Sequence, residues 1–103
     1  MTASAKIGSA TVLRRAPGVA YSNLAEGRGG VLLQVATGAY YGVDAVGALV
    51  WRLLEGSPTF GRLLSSLRGE LENVPVTFEA EIAQLLAGLR DRGLIEAEGA
   101  DPS

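Results

Sequence analysis

A chain of 103 residues that is 48% hydrophobic and 19% charged has the size and composition of one globular domain, not of a disordered segment. It contains no cysteine and no histidine, which excludes thiol nucleophiles, disulfides, Cys/His zinc sites and every catalytic triad built on an imidazole base. The net charge of −2 divides unevenly: Lys6, Arg14, Arg15 and Arg28 outnumber Glu26 and Asp44 in the first fifty residues, whereas five arginines face nine acids beyond them, which argues against a nucleic-acid footprint in the second half.

Residues 1–9 are small and polar and are expected to form a flexible arm. They lack the apolar stretch of a signal peptide. No run approaches the roughly 20 apolar residues of a membrane span, so no membrane association is expected. With the missing cysteines, this suggests a cytoplasmic protein. Thr11 to Arg15 reads as an extra strand or an extended lead-in, ended by Pro17-Gly18. Residues 19–24 form a first strand of a meander. The Glu26-Gly-Arg-Gly-Gly30 run then supplies a turn rich in residues that accept positive φ. Residues 31–36 form a second strand, with Val31, Leu33 and Val35 on one face and Val31 and Leu33 read as core. Thr37-Gly38 makes a two-residue hairpin turn. Ala39 to Val43 returns as a third strand, with Tyr41 and Val43 on one face and Tyr40 on the other.

Helical spacing begins after Asp44, whose carboxylate is placed to cap a first helix. That helix runs to about Leu54, with Val46, Leu49, Val50 and Leu53 as its stripe, widened by Ala48, Trp51 and Leu54, and Gly56 stops it. Thr59 caps a second helix, which buries Phe60, Leu63, Leu64, Leu67 and Leu71. Asn73 and Pro75 end it. Thr77 caps a third, with Phe78, Ile82, Leu85, Leu86 and Leu89 as its apolar face. Glu79 and Glu81 near its start and Arg90 and Arg92 near its end suit the helix dipole. Gly93 ends it, and Leu94 and Ile95 pack back onto the core. The fold class is therefore α+β: a three-stranded antiparallel sheet followed by three α-helices, in the manner of a winged helix-turn-helix domain. Residues 10–97 form the domain and residues 98–103 a flexible tail.

Few residues offer chemistry. The glycines at 27–30 lack the GxxxxGK[ST] pattern of a phosphate loop. Glu79 with Glu81, and Glu70 with Glu72, stand two apart on helices and do not face one another. Ser65 and Ser66 have no base. No catalytic residue, metal ligand or cofactor is expected. A DNA-reading helix pair is opposed by Glu79 and Glu81, which would open the recognition helix toward phosphate. The third strand is different. An edge strand is usually guarded by charge, proline or a bulge, and Ala39-Tyr-Tyr-Gly-Val43 carries none of these. Such an edge is suited to receive a peptide as a further strand.

The spacing of several segments resembles the PqqD-like family, the recognition elements for precursors of ribosomally made, post-translationally modified peptides. They are Val31-Leu-Leu-Gln, Gly38-Ala-Tyr-Tyr-Gly-Val-Asp44, Gly47-Ala-Leu-Val-Trp-Arg-Leu-Leu-Glu-Gly56, and Ile82 through Gly93-Leu-Ile95. The resemblance spans residues 17–96. Val43-Asp44 replaces the family's usual Leu-Asn, and the second helix matches only in pattern. Within the family the chain looks most like the stand-alone B1 proteins of lasso peptide biosynthesis, with PqqD itself and other discrete recognition elements as the alternatives. The resemblance implies a non-catalytic protein that binds the leader segment of a precursor peptide along the third strand, in the groove against the third helix. It also implies presentation to a separate leader peptidase (a B2-type cysteine protease), with an ATP-dependent lasso cyclase acting next. The matched positions are Ala39, Tyr40, Tyr41, Gly42 and Val43 on the strand and Ala83, Leu86 and Arg90 on the helix. There Ile82, Leu85 and Leu89 are read as core-directed and Tyr40 as covering a leader side chain. The expected state is a monomer with leader bound, and a candidate edge-strand dimer without it. The alternatives are a winged-helix DNA-binding regulator and a structural homodimer paired through the third strand; a small enzyme is disfavoured by the missing histidine and cysteine.

Overall fold

The parity of one strand decides which residues meet the helices. The structure, a computed structural model, describes residues 7–24 and 28–99. Positions 1–6 of the expected arm, 100–103 of the expected tail, and 25–27 at the start of the glycine-rich turn lie outside the described residues. The meander consists of β2 (Val19–Asn23), β3 (Gly30–Gln34) and β4 (Ala39–Val43), with β1 (Val12–Arg15) before it. The sheet order is β2-β3-β4, antiparallel throughout. The register sets Tyr21, Leu32 and Tyr41 side by side, and Ala20, Leu33 and Tyr40 in the next row. Leu32 is 0% exposed, whereas Leu33 is 36% and Tyr40 76% exposed. Leu32 thus points into the core, and the expectation of Val31 and Leu33 as core is overturned. Three consecutive apolar residues carry no alternation of their own. Their parity comes from β4, where Tyr41 and Val43 turn inward as expected and oblige their cross-strand partners to follow.

Glycines fix the turns. Gly29 has φ +114°, and a Cβ there would run into the Val43 carbonyl; a Cβ at Gly30 would strike the Tyr21 ring. The second strand ends at Gln34, not Ala36, so the hairpin loop is residues 35–38 and not a two-residue turn. The amides of Thr37 and Gly38 both donate to the Gln34 carbonyl, at 3.3 and 2.8 Å.

The helices are α1 (Ala45–Leu53), extended by a 3-10 turn (Leu54–Gly56), α2 (Phe60–Glu70) and α3 (Phe78–Asp91). Asp44 Oδ1 accepts from the Gly47 amide at 2.9 Å and Thr59 Oγ1 from the Arg62 amide at 3.2 Å. Both caps are as expected. Thr77 is not: its hydroxyl donates to Glu81 Oε2 at 2.8 Å, and no side chain caps α3. The backbone closes that end instead, with Phe78 N donating to Pro75 O at 3.0 Å. At the other end Gly93 N donates to Arg90 O and Leu94 N to Leu89 O, both at 2.9 Å, with Gly93 at φ +75°. This paired closure reverses the chain and buries Leu94 and Ile95.

A two-stranded sheet, β1 with β5 (Ile95–Glu98), was legible only as an extra strand or lead-in at one end and not at all at the other. It joins the first and last described segments, with Arg15 opposite Ile95 and Val12 opposite Glu98. Arg14 bridges Glu96 at 3.9 Å and also pairs with Glu98. Glu98, read as the start of the tail, therefore belongs to a strand. Ile7 packs against the core, and Ser9 O accepts from the Gly61 amide at 3.0 Å, so positions 7–9 of the expected arm are docked. Leu13, Val50, Leu54, Leu63, Leu67 and Leu89 form the fully buried centre. Among the described residues no helix is long and apolar enough to cross a membrane.

The parity of β3 has a direct test in urea unfolding. Leu32→Ala is expected to remove about 2–5 kcal/mol of stability and Leu33→Ala less than about 1 kcal/mol. The reverse order would contradict the register.

Candidate functional site

The β4 edge is uncharged and, among the described residues, pairs with no strand beyond β3. Residues at the two ends of α3 approach β4 and its following residue in reverse order. At the start of β4, the Arg92 guanidinium stacks 4.6 Å from the centre of the Tyr41 ring, and Gln34 Nε2 donates to Gly93 O at 3.4 Å. At its end, Asp44 faces the first half of α3. Each end of this groove holds a depression. One, of about 240 Å³, is walled by Ala39, Tyr40, Tyr41, Arg92 and Leu94 with Gln34. The other, of about 390 Å³, lies just past the end of β4, between residues 71–75 and the start of α3, with Val46, Phe78, Ile82 and Leu85 as apolar lining beside Asp44 and Glu81. The groove is thus cationic at one end and acidic at the other, with apolar surface in both depressions.

The structure sorts the expected site residues. Ala39, Tyr40 and Gly42 are exposed, Tyr41 is half-buried, and Val43 is 9% exposed with its side chain in the core, so Val43 offers only backbone. Ala83 and Arg90 are half-buried on α3, and neither lines either depression; Arg90 stands 3.7 Å from Asp91. Leu86 is 0% exposed and belongs to the core, so its place as groove wall is corrected. Leu85, read as core, is half-buried and lines the larger depression instead. Phe78, Ile82, Leu86 and Leu89 recur at helical spacing as the inward stripe. In the pair Leu85-Leu86 either residue could have joined that stripe. Ile82 and Leu89 are buried as expected.

Other residues of the groove had no signal at all. Arg92 and Tyr41 are far apart in sequence, and nothing local marks their stacking. Val46 reads as a stripe residue of α1 and Phe78 as core of α3. Both also floor the larger depression.

The arrangement can offer backbone donors and acceptors on an open edge, two apolar depressions and a cation fixed on an aromatic ring. Among the described residues no group of acids is placed to hold a metal ion. The outer face of the sheet is apolar as well. Ala20, Val31, Leu33 and Tyr40 surround a shallow hollow of about 300 Å³, and Val35 beside it is 63% exposed.

An open antiparallel edge beside a helical groove defines a domain able to accept a further strand. The family model for coenzyme PQQ synthesis protein D (PqqD) matches residues 29–95, and the chain belongs to that family. The match takes in β3, β4 and all three helices; β1 and β2 lie before it. The structure of TbiB1 in complex with the TbiA(beta) leader peptide is similar to this one, with 27% identity, a TM-score of 0.69, and coverage of 85% of this chain and 98% of that one. The structure of a lasso peptide synthetase B1 complexed with the leader peptide shares the fold, at 24% identity and a TM-score of 0.67, covering 82% of this chain and 96% of that one. No curated protein matches the sequence.

Asp44 both caps α1 and lines the acidic end of the groove. Asp44→Ala is expected to lower stability by about 1 kcal/mol in urea unfolding, through the lost bond to Gly47. An unchanged midpoint would show that the cap carries no weight.

Proposed function

We propose that this chain is a non-catalytic recognition domain for the leader segment of a ribosomally made precursor peptide, in a lasso peptide pathway. The leader adds as a strand along β4, bonds to the backbone between Ala39 and Val43, and sets its side chains in the groove against α3. Ala83 and Arg90 border its path, and Tyr40 covers a leader side chain from the outer face. The observation that carries this reading is the uncharged open edge, flanked by depressions at both ends, in a fold shared with TbiB1 in complex with a leader peptide.

Magnitudes say what the leader must supply. Five strand residues offer about three new backbone hydrogen bonds at about 1 kcal/mol each. Micromolar binding requires about 8 kcal/mol beyond the cost of ordering the peptide. Strand pairing alone falls short, and buried apolar side chains, one or two at about 2 kcal/mol each, are required to narrow the gap. The two depressions are the places for them. Specificity therefore resides in apolar anchors, with the charges at the groove ends acting on orientation.

The bound precursor is then presented to a stand-alone leader peptidase of the B2 cysteine-protease type, and afterwards to the lasso cyclase. A chain without histidine or cysteine leaves peptide cleavage to such a partner. The apolar outer face of the sheet supports docking of a partner, because Tyr40 carries that face up to the strand that receives the leader. The encounter is proposed to occur in the cytoplasm, where ribosomes release the precursor. With leader bound the protein is monomeric. An unoccupied β4 can pair with a second copy, which size-exclusion mass measurement with and without leader distinguishes.

Fluorescence anisotropy of a labelled leader peptide from the protein's own precursor tests the reading. Micromolar affinity is expected, changing by less than about threefold between roughly 0.05 and 0.5 M salt, and falling about tenfold or more when an apolar anchor of the leader becomes serine. No binding at tens of micromolar protein would sink the proposal. Leu85→Ala is expected to weaken the leader by about tenfold and leave the fold intact, whereas Leu86→Ala costs about 2–5 kcal/mol of stability. Equal leader affinity for wild type and Leu85→Ala would remove the larger depression from the site.

A further inference from the structure

We propose that the other edge of the sheet carries a second peptide site, one that takes an extended, carboxylate-bearing segment of a partner protein between Arg15 and Arg52. Strand β2 is as open as β4: it pairs with β3 and, among the described residues, with no other strand. Beside it, a depression of about 360 Å³ lies between β2 and α1, with Tyr21 and Asn23 on one side, Leu49, Trp51 and Arg52 on the other, and Arg15 joining them from β1.

Arg15 is held in place before any ligand arrives. Its Nε and Nη2 donate to the Trp51 carbonyl at 3.1 and 2.7 Å, and its guanidinium lies 4.9 Å from the centre of the Trp51 ring. The carbonyls at the end of α1 and the ring face fix the cation without neutralising it. Among the described residues no carboxylate lies within ion-pair distance of Arg15, although Arg14 beside it pairs with Glu96 and Glu98. Arg52 stands 3.7 Å from Glu70 with both side chains more than half exposed, a contact that is readily exchanged. Asn23 accepts the Tyr21 hydroxyl with its carbonyl oxygen, at 2.6 Å, and among the described residues its side-chain amide donors have no partner. Among the described residues no acid lines the depression. Two guanidinium groups and an amide thus surround an apolar floor, which matches a carboxylate on an otherwise apolar segment.

The open strand edge points to an extended segment as the occupant. A second copy of this chain fits poorly. The acids of its one described acidic strand, Glu96 and Glu98, already belong to the β1–β5 pair, and Glu79 and Glu81 lie on a helix. The site needs nothing from β4 and stands or falls separately from leader binding.

The test is nuclear magnetic resonance titration of the whole ¹⁵N-labelled protein with acetyl-Val-Glu-Val-Glu-Val-amide and with its Gln-for-Glu analogue. Trp51 is the only tryptophan, so its indole signal reports on the site unambiguously. The expected result is saturable shifts of the Trp51 indole, the Arg15 Nε–H, the Asn23 amide and the β2 backbone. The glutamine analogue should bind about tenfold more weakly or worse. Arg52→Gln, which leaves the bonds of Arg15 to α1 in place, should weaken the glutamate peptide about fivefold. Equal affinity for the two peptides would overturn the proposal, as would shifts confined to Ala39–Val43, or no shift at millimolar peptide. Shifts of the same signals with protein concentration alone would assign the surface to a second copy and overturn it equally.

Discussion

The row formed by Tyr21, Leu32 and Tyr41 is the contact on which the rest of the molecule depends. Leu32 is wholly buried between two half-buried rings, and with it the sheet acquires an inner and an outer face. Slipping β3 by one residue would turn Leu33 inward and expose Leu32, and slipping β4 would do the same with Tyr40 and Tyr41. The helices would then meet the wrong surface. With the row in place, Tyr41 reaches Arg92 at the end of α3, Val43 enters the core, and the backbone of β4 is left at the rim beside a helix. The open edge is thus a consequence of core packing, held by the same residues that stabilise the fold.

That arrangement supports the proposed recognition role. The chain belongs to the PqqD family and has neither histidine nor cysteine. What it offers instead is unpaired backbone, two depressions and a charge gradient along the groove. An edge without charges or prolines is a hazard in an unpartnered protein. Here the hazard and the proposed function are the same property. The second open edge, at β2, differs in its chemistry because Arg15 and Arg52 line the depression beside it, and under the two proposals this difference is what would let the edges discriminate between ligands.

Much of this was legible in the sequence, for physical reasons that can be named. The three helices showed themselves by spacing, and Asp44, Thr59 and Gly93 by the backbone groups that helix ends leave unsatisfied. Tyr41 and Val43 alternate with Tyr40, so the faces of β4 could be read. The faces of β3 could not, because Val31, Leu32 and Leu33 are all apolar. Leu85 and Leu86 posed the same problem on α3, where neighbouring leucines left the boundary between core and groove open to error in either direction. The β1–β5 sheet was hidden because it joins the two ends of the chain through short strands. The Arg92–Tyr41 and Arg15–Trp51 contacts were hidden because long-range stacking leaves no local pattern.

The most direct test of leader addition along β4 is amide hydrogen exchange on the protein with and without its leader peptide. The outward-facing amides of Ala39–Val43, which alternate along the strand, are predicted to exchange rapidly in the free protein. They should become protected when leader is bound, together with alternate amides of the leader itself, while β3 changes little. A leader that binds tightly and leaves the β4 amides exchanging as fast as before would contradict strand addition and move the site elsewhere.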